Sequence, residues 1–588
     1  MSKLPDANTN ALKFFDEHGF FGHPRGLSTL FYTEMWERFS YYGMRAILTL
    51  YMTKSIAEGG LGLDEKYASV IYATYVSSVW YLPLIGGWLA DKIFGARRAV
   101  LIGGIIIACG HYSMAIDTIA TFYAGLILIA CGTGLLKPNI SAMVGELYAE
   151  GDARRDAGFS IFYMGINLGA FLSPIVVGFL AQAASFRNFI TSMGFDPNST
   201  WHWGFAAAGV GMTLGVIQYV IPFSVRVKPS IKRYLAYGLV LGLVGALVTA
   251  LAHLGAAFGL LVGIIAGVTL AFLRNRSMVE LDESRFPGGH LFSVIREHSL
   301  RNVGRPNSRN TERQTTEGGS ERVDVVTLGL AVVGGVTGTA LGLYFGDAGI
   351  LSALFPAVVG FFGGYLIGTT RLLNGEELKR VLVIFILFLF SIFFWMTYEQ
   401  AGSSLTLFAD RLTRTTILGW QYPSSWFQSV PAIFVIILAP VMAALWQGLG
   451  SRQPSSPGKF TVGLFFAGVA FVVITIASTF AGGGRVSPMW LVVVYFLQTI
   501  GELCLSPVGL STVTKLSPMR MVGLMLGVWF LSISIGSYIA GLTTRLFEGN
   551  DPAVLTRAFG IFAGVTLFAA LVLAVLTPLI KKITPRAA

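Results

Sequence analysis

The chain has 588 residues, of which 54% are hydrophobic and only 12% are charged. Soluble domains carry about 25% charged residues, so this chain lacks the polar surface that soluble domains need. The composition argues against a soluble enzyme, a nucleic-acid-binding protein, a coiled coil or a disordered chain. It predicts an all-α polytopic membrane protein, and the net charge of +11 fits cytoplasmic loops rich in Lys and Arg.

Sixteen apolar runs predict membrane-spanning helices, because a helix of about 20 residues crosses a bilayer. Six fill the first part of the chain, near residues 27–52, 68–94, 99–116, 119–148, 155–182 and 202–224. Four lie in the middle, near 233–253, 254–273, 325–345 and 349–370. Six fill the end, near 379–408, 425–447, 458–481, 487–516, 519–546 and 557–580.

The distribution of Lys and Arg predicts the orientation of these spans. With the N-terminus in the cytoplasm, the inside segments other than the loop 274–323 hold 22 Lys and Arg, and the outside segments hold eight. The loop adds nine Arg on the inside. Positive charge concentrates on the cytoplasmic side of inner-membrane proteins. We therefore expect a multi-pass protein of the inner cell membrane with both termini in the cytoplasm.

The spans predict two six-helix bundles separated by an insert of about four further helices. The expected parts are a cytoplasmic N-terminal segment, the first bundle, the insert, the second bundle and a cytoplasmic tail, with boundaries 1–26, 27–224, 225–377, 378–580 and 581–588. The polar loop 274–323 is expected to be solvated and mobile; alternatively, its arginines bind anionic lipid or a partner. The three cysteines have no metal-ligand spacing, so no cofactor or metal is expected.

The first span, TEMWERFSYYGMRAIL, carries four charged side chains. Glu34, Arg38 and Arg45 are four and seven residues apart, which places them on one face of a helix, and Glu37 lies beside that face. Charged groups inside a membrane are costly and are by default functional. They predict a polar, water-filled cavity along this helix. The alternative is an ion-pair network that only holds helices together.

Other spans of the first bundle carry further polar residues. Tyr41 and Tyr42, three and four residues after Arg38, can share its cavity. Lys137 lies in the apolar run GTGLLKPN, and a buried ammonium needs either a carboxylate partner or a carboxylate ligand. Asn167, in FYMGINLGAF, either contacts a ligand or links helices through its amide.

The turn after the second span reads GGWLADKIFGARR, with Asp91 seven residues before Arg98. It resembles the loop signature between the second and third helices of the major facilitator superfamily. In that superfamily the segment helps to close the cytoplasmic side. The resemblance implies a gating role for Asp91 and Arg98.

The second bundle contributes acidic groups. Glu399 lies near the outer end of its first span, in FFWMTYEQAGSSL, and Glu502 lies within its fourth span, in QTIGELCLSPVGL. The cavity should therefore be basic on the side of the first bundle and acidic on the side of the second, which would orient a zwitterion. Trp529, in the next span, either packs within the bundle or contacts a ligand.

Several long motifs make the chain similar to one family. EMWERFSYYG at 34–43 fits the ExxERFxYYG signature of the proton-dependent oligopeptide transporter family, a branch of the major facilitator superfamily. GTGLLKPN, GFSIFYMGINLGAF, FFWMTYEQAGSSLTLFAD and GELCLSPVGLS fit further signatures. The resemblance covers residues 20–224 and 378–580. It implies a major facilitator fold, alternating access and import of di- and tripeptides with protons, with no enzymatic activity.

The resemblance also implies roles for the matching residues. The proton-coupling residues would be Glu34, Glu37, Arg38 and Glu399. The peptide contacts would be Arg38, Tyr41, Tyr42, Lys137, Asn167, Glu502 and Trp529, with Trp80 or Tyr81 as a weaker candidate. Arg38 and Lys137 would receive the peptide carboxylate, and Glu502 and Asn167 would hold its ammonium. Arg45 would pair with Glu399 as the outer gate.

Two features depart from the family pattern. Pro431 stands where the family usually has an Asn, so one contact to the peptide amine is missing, and bacterial members commonly insert two helices rather than four. The alternatives are a proton-coupled carrier of another small peptide-like or amino-acid-derived solute, and a non-transporting membrane sensor. The expected partners are a small solute, protons and the lipid bilayer, without nucleic acid, and the chain is expected to act as a monomer.

Overall fold

The computed structural model of the chain describes residues 20–148, 152, 154–220, 325–345, 350–417, 419–518, 521–547 and 551–583. The predicted insert helices near 233–253 and 254–273 lie outside the described residues, as do the loop 274–323 and most of both terminal segments. The described part is almost entirely helical.

Helices are numbered here in chain order. The first bundle contains α1 (Arg25–Thr53), α2 (Glu65–Leu89), α3 (Ala96–Met114), α4 (Ile119–Glu146), α5 (Arg155–Gln182), the short α6 (Ala184–Ser192) and α7 (Thr200–Val220). The described part of the insert contains α8 (Val325–Phe345) and α9 (Ile350–Thr370).

The second bundle contains α10 (Gly375–Tyr398), the short α11 (Ser404–Leu412), α12 (Val430–Leu449), α13 (Ser456–Phe480), α14 (Met489–Leu516), α15 (Val522–Thr543) and α16 (Pro552–Ile583). A small antiparallel hairpin of β1 (Thr416–Ile417) and β2 (Trp420–Gln421) follows α11, with Thr416 opposite Gln421.

The predicted fold class is confirmed. Within the described residues, twelve helical segments are both long and apolar enough to cross a membrane. Two more helices, α1 and α3, have comparable lengths and a more polar composition. These fourteen lie where the sequence predicts spans, six in each bundle and two in the insert.

The apolar run near 379–408 predicts one continuous helix for the first span of the second bundle. The structure instead has a break within this span. The helix α10 ends at Tyr398, and a 3-10 turn over Glu399–Gly402 separates it from α11. Gly402 lies so close to the Tyr72 hydroxyl and the Arg45 side chain that a Cβ atom would overlap both. The break therefore brings the chain around Glu399 against the first bundle.

Glycines let α2 and α4 pack with their backbones in contact. A Cβ atom at Gly86 would overlap the carbonyl group of Gly134, and a Cβ atom at Gly134 would lie 2.9 Å from the Cβ of Leu82. Lys137 follows Gly134 by three residues, so it lies almost one helical turn further along α4. The close approach of the two helices thus places the lysine side chain beside α2.

Each bundle has its own buried core of aliphatic and aromatic side chains. The insert helix α9 lies where the bundles meet: Phe355 packs on Tyr538 of α15 and on Tyr81 of α2, with ring centroids 4.3 and 6.0 Å apart. The end of the molecule at which α1 ends and α2 begins is called the Lys54 end. The opposite end, at which α2 ends and α3 begins, is called the Gly95 end.

Candidate functional site

A buried cluster of charged side chains lies on α1. The Arg38 guanidinium lies 3.2 Å from the Glu34 carboxylate and also pairs with Glu37. All three side chains are at most 3% exposed. One oxygen of each carboxylate and one nitrogen of Arg38 have no hydrogen-bond partner among the described residues. Two carboxylates sharing one guanidinium can accept a proton without losing the ion pair.

A second ion pair joins the two bundles. Arg45 Nη2 of α1 donates to Glu399 Oε2 at 2.5 Å, and Arg45 Nε donates to the Tyr72 hydroxyl at 2.9 Å. Next to this pair, Thr49 Oγ1 donates to the carbonyl oxygen of Gly402 at 2.9 Å. The pair lies at the break after α10, so its formation holds the bundles together on this side. Tyr72 was missed from the sequence, where nothing distinguished it from the other tyrosines of the span.

Lys137 lies where the bundles meet, and no carboxylate of the described residues is at hydrogen-bond distance from it. Its ammonium nitrogen is buried, has no hydrogen-bond partner among the described residues, and lies 3.4 Å from the centre of the Trp80 ring. Glu34 and Glu37 lie within electrostatic range of it. The cation is therefore available to a ligand.

The second bundle contributes a carboxylate within one of its spans. Glu502 of α14 accepts a hydrogen bond from the Tyr398 hydroxyl at 2.6 Å. The Tyr398 ring packs edge-on against Trp395, with centroids 5.3 Å apart. Sequence reasoning missed Tyr398, although it directly precedes Glu399 in the motif FFWMTYEQ. A division of charge between the bundles that orients a zwitterion stays a prediction, because the first bundle also carries Glu34 and Glu37.

Two of the remaining candidate residues, Tyr41 and Asn167, differ in the hydrogen bonds that they make. The Tyr41 hydroxyl is buried without a hydrogen-bond partner among the described residues, and its ring packs edge-on against Tyr42 at 5.1 Å. Asn167 Nδ2 donates to the carbonyl oxygen of Tyr163, one turn earlier in α5, at 2.9 Å. This bond leaves the amide oxygen of Asn167 as the group that could meet a ligand.

Trp529 lies in the core of the second bundle. It is 2% exposed, its ring packs edge-on against Phe460 at 5.8 Å, and a Cβ atom at Gly509 would overlap it. These contacts fit the packing alternative, and a ligand contact of Trp529 stays a prediction. Of the two aromatic candidates in α2, Trp80 borders Lys137, whereas Tyr81 packs on Phe355 of the insert.

Two further ion pairs connect the bundles at the Lys54 end. Lys54 lies 3.0 Å from Asp410, and Arg411 lies 2.6 Å from Glu65. The first pair joins the end of α1 to the end of α11, and the second joins the start of α2 to the end of α11. They could not be predicted because the partners are more than 340 residues apart in sequence and each charge alone resembles an ordinary solvated one. Together with Arg45 and Glu399, they close this end.

The turn at the Gly95 end has the backbone that its sequence requires. A π-helical segment, Ala90–Phe94, extends α2, and Gly95 then adopts a φ of +76° before α3 begins. A side chain is rarely tolerated at that φ, which explains the glycine. Asp91 lies in this segment and Arg98 lies in the first turn of α3; their gating role stays a prediction. Within the described residues, no group of His, Cys, Asp and Glu could hold a metal ion.

Two six-helix bundles joined by a buried ion pair, with further buried charged side chains in the spans of both, define a secondary transporter of the major facilitator type and not an enzyme. Within that class, the chain belongs to the POT family, whose sequence pattern it matches over residues 97–235 and 363–583.

Named relatives extend along almost the whole chain. An uncharacterized transporter of Bacillus subtilis, YclF, is 36% identical over 98% of each protein. The peptide transporter YePEPT of Yersinia enterocolitica is 35% identical over 92% of this chain and 91% of its own length. A di-/tripeptide transporter of Lactococcus lactis is 30% identical over 94% and 96%, respectively.

Solved structures agree with this assignment. A mutant of peptide transporter POT in complex with alafosfalin is 35% identical, with a TM-score of 0.67 over 99% of this chain and all of that chain. A POT family transporter in complex with 5-aminolevulinic acid is 29% identical, with a TM-score of 0.65 over 96% of this chain and 98% of that one.

Proposed function

We propose that this protein is a proton-coupled symporter that imports di- and tripeptides by alternating access. The observation that carries the proposal is the buried Lys137 ammonium, which has no hydrogen-bond partner among the described residues. The opposite bundle supplies the carboxylate of Glu502. Burying unpaired charge is costly, so a ligand that brings a carboxylate to one side and an ammonium to the other relieves the cost. A short peptide carries both groups.

The peptide would lie across the cavity between the bundles. Arg38 and Lys137 would receive its carboxylate, while Glu502 and the amide oxygen of Asn167 would hold its ammonium. Tyr42, which packs beside Tyr41 on α1, would line the pocket. Because the two ends carry the binding charges, peptide length and free termini would decide affinity, and side chains would be tolerated broadly.

The named relatives support this substrate class. The Yersinia protein is a peptide transporter and the Lactococcus protein is a di-/tripeptide transporter by name. Both align with this chain over more than nine-tenths of its length.

Proton coupling would use the two ion-pair sites. At the α1 cluster, a proton on Glu34 or Glu37 would remove one of the two carboxylates that pair with Arg38, and the peptide carboxylate would take its place. At the bundle interface, a proton on Glu399 would release Arg45 and open the Lys54 end. Proton and peptide would thus each bind better to one of the two facing states, which is the thermodynamic requirement for coupling.

The orientation in the membrane follows from the charge distribution. The Lys and Arg counts support an orientation with both termini in the cytoplasm, in which the closed Lys54 end would face the outside and the Gly95 end the cytoplasm. This assignment makes the structure one in which the outer gate is shut. We propose that the protein lies in the inner membrane and acts as a monomer, since one chain supplies all the residues of the proposed site.

A second candidate is a proton-coupled carrier of another amino-acid-derived solute. A solved POT transporter holds 5-aminolevulinic acid, which carries an amine and a carboxylate as a peptide does. Pro431 also favours this candidate, because the family's usual asparagine is absent. The proline lies in the first turn of α12, where the missing N–H costs no helical hydrogen bond.

Uptake into liposomes tests both candidates. Purified protein is reconstituted, an inward proton gradient is imposed, and the accumulation of labelled Ala-Ala and of 5-aminolevulinic acid is measured. We expect Ala-Ala to accumulate above its outside concentration. Glu37→Gln and Lys137→Ala should abolish accumulation, and Lys379→Ala, which changes an exposed lysine paired with Glu376, should not. Accumulation of 5-aminolevulinic acid alone would favour the second candidate.

A further inference from the structure

The placement of Trp80 against Lys137 has a consequence for substrate recognition. The ammonium lies 3.4 Å from the centre of the Trp80 ring, well within the range of a cation–π interaction. The indole N–H of Trp80 is also buried and makes no hydrogen bond within the described residues. The face of the ring therefore contacts the cation, and the indole N–H takes no part in this contact.

Both partners are held in place by packing. The glycine contact between Gly86 and Gly134 fixes α2 against α4, which sets where the lysine side chain begins. Side chains of the second bundle also pack against the ring: Phe530 stacks on Trp80 with centroids 6.5 Å apart, and Trp395 lies at 6.4 Å. The ring therefore contacts both the cation and the second bundle.

Glu34 and Glu37 compete for the same cation, because they lie within its electrostatic range. A lysine bound to either carboxylate would have to break that pair before it could bind a peptide. A ring face attracts the charge without a carboxylate and leaves the ammonium hydrogens that point away from the ring available. The surroundings of Lys137 thus stabilise its charge without pairing it with a carboxylate.

We propose that Trp80 is a positioning residue for carboxylate recognition: its ring holds the Lys137 ammonium in the cavity, free of carboxylate partners, until a substrate carboxylate binds it. The proposal rests on the proposed function in one respect, since it requires that Lys137 receives the carboxylate of the peptide. It adds that affinity for that carboxylate depends on an aromatic side chain of α2 that does not touch the carboxylate.

The chain offers a matched control. A second Lys–Trp contact, with Lys459 lying 4.6 Å from the centre of the Trp446 ring, occurs at the ends of α13 and α12. The same substitution there removes the same kind of interaction outside the charge clusters described above. Any effect confined to Trp80 therefore reports on the cavity and not on the loss of a tryptophan.

The experiment measures the dissociation constant of Ala-Ala by isothermal titration calorimetry on the purified full-length protein. Trp80→Leu should weaken binding by about tenfold or more, and Trp80→Phe should lie between it and the unchanged protein, since tryptophan is the strongest cation–π partner. Trp446→Leu should bind Ala-Ala as the unchanged protein does. Equal affinity of Trp80→Leu and the unchanged protein would overturn the inference.

A purely structural role for Trp80 predicts a different pattern. In the background of Lys137→Ala, Trp80→Leu should cause no further loss, and binding of Ala-Ala amide, which has no carboxylate, should be equally weak with and without Trp80. A loss of the same size in both backgrounds would show a structural role and overturn the inference. If Trp80→Leu fails to fold, Trp80→Met supplies the non-aromatic variant. Absence of Ala-Ala binding to the unchanged protein would refute the proposed function itself.

Discussion

Replacing Glu399 with glutamine should open the Lys54 end. The substitution removes the negative charge of the interbundle pair and keeps the size of the side chain. Arg45 and Glu399 are 5% and 2% exposed, so water screens the pair little. Arg45 keeps its hydrogen bond to the Tyr72 hydroxyl. The change therefore isolates the contribution of one charge to the closed state.

The size of the effect follows from the geometry. Two unit charges roughly 4 Å apart attract by about 4 kcal/mol at an effective dielectric constant of about 20. The glutamine amide can retain a hydrogen bond worth about 1 kcal/mol, so the closed state loses ~2–3 kcal/mol. The ratio of closed to open molecules should fall by roughly 30- to 100-fold, because 1.4 kcal/mol is a factor of ten.

Distances between spin labels at the Lys54 end report this shift. Ile56 follows α1 and Ile417 lies in β1; both are exposed and belong to opposite bundles. Cysteines at these two positions, in a chain without Cys109, Cys131 and Cys504, carry the labels. Glu399→Gln should enrich the longer distance measured by double electron–electron resonance.

The control is Glu376→Gln, which makes the same chemical change in an exposed pair with Lys379 on the surface of α10. Exposed pairs contribute little, so the distance distribution should not change. If Glu399→Gln gives the same distance distribution as the unchanged protein, the charge of the Arg45–Glu399 pair does not hold the Lys54 end closed.

Three further changes give separate tests. Tyr398→Phe removes the hydroxyl that donates to Glu502, so the KM for Ala-Ala uptake should change several-fold. The melting temperature should stay close to that of the unchanged protein. An unaltered KM would show that the Tyr398–Glu502 hydrogen bond does not affect uptake. Gly402→Ala places a Cβ atom against Arg45 and should shift the label distances as Glu399→Gln does; a closed distribution would contradict this. Phe355→Ala should lower the free energy of unfolding by about 3 kcal/mol, measured by denaturation in detergent, and no loss would show that the insert contact is weak.

The spans could be predicted because hydropathy and helix length determine them almost alone. The charges of the site were equally visible, since Glu34, Arg38, Lys137 and Glu502 interrupt apolar sequence. Hydropathy could not show the break after Tyr398, because the 3-10 turn at Glu399–Gly402 is uncharged except for Glu399 and depends on the space left beside the first bundle.

The pairing of side chains needed the three-dimensional structure. Whether Lys137 meets a carboxylate or a ring depends on the distance between α2 and α4, which Gly86 and Gly134 set. A lone tryptophan gives no signal for its surroundings: Trp529 is enclosed within the second bundle, whereas Trp80 borders the cavity. Helical spacing within one span predicts a shared face, but contacts across bundles depend on tertiary packing.

The central claim is that protons and peptide move together through this cavity. The direct measurement is the pH inside liposomes that contain the protein and a trapped fluorescent pH indicator, with no initial pH gradient and with the membrane potential clamped. Addition of Ala-Ala outside should acidify the interior, and Glu37→Gln should abolish the acidification. Entry of labelled Ala-Ala without any change in interior pH would contradict the account.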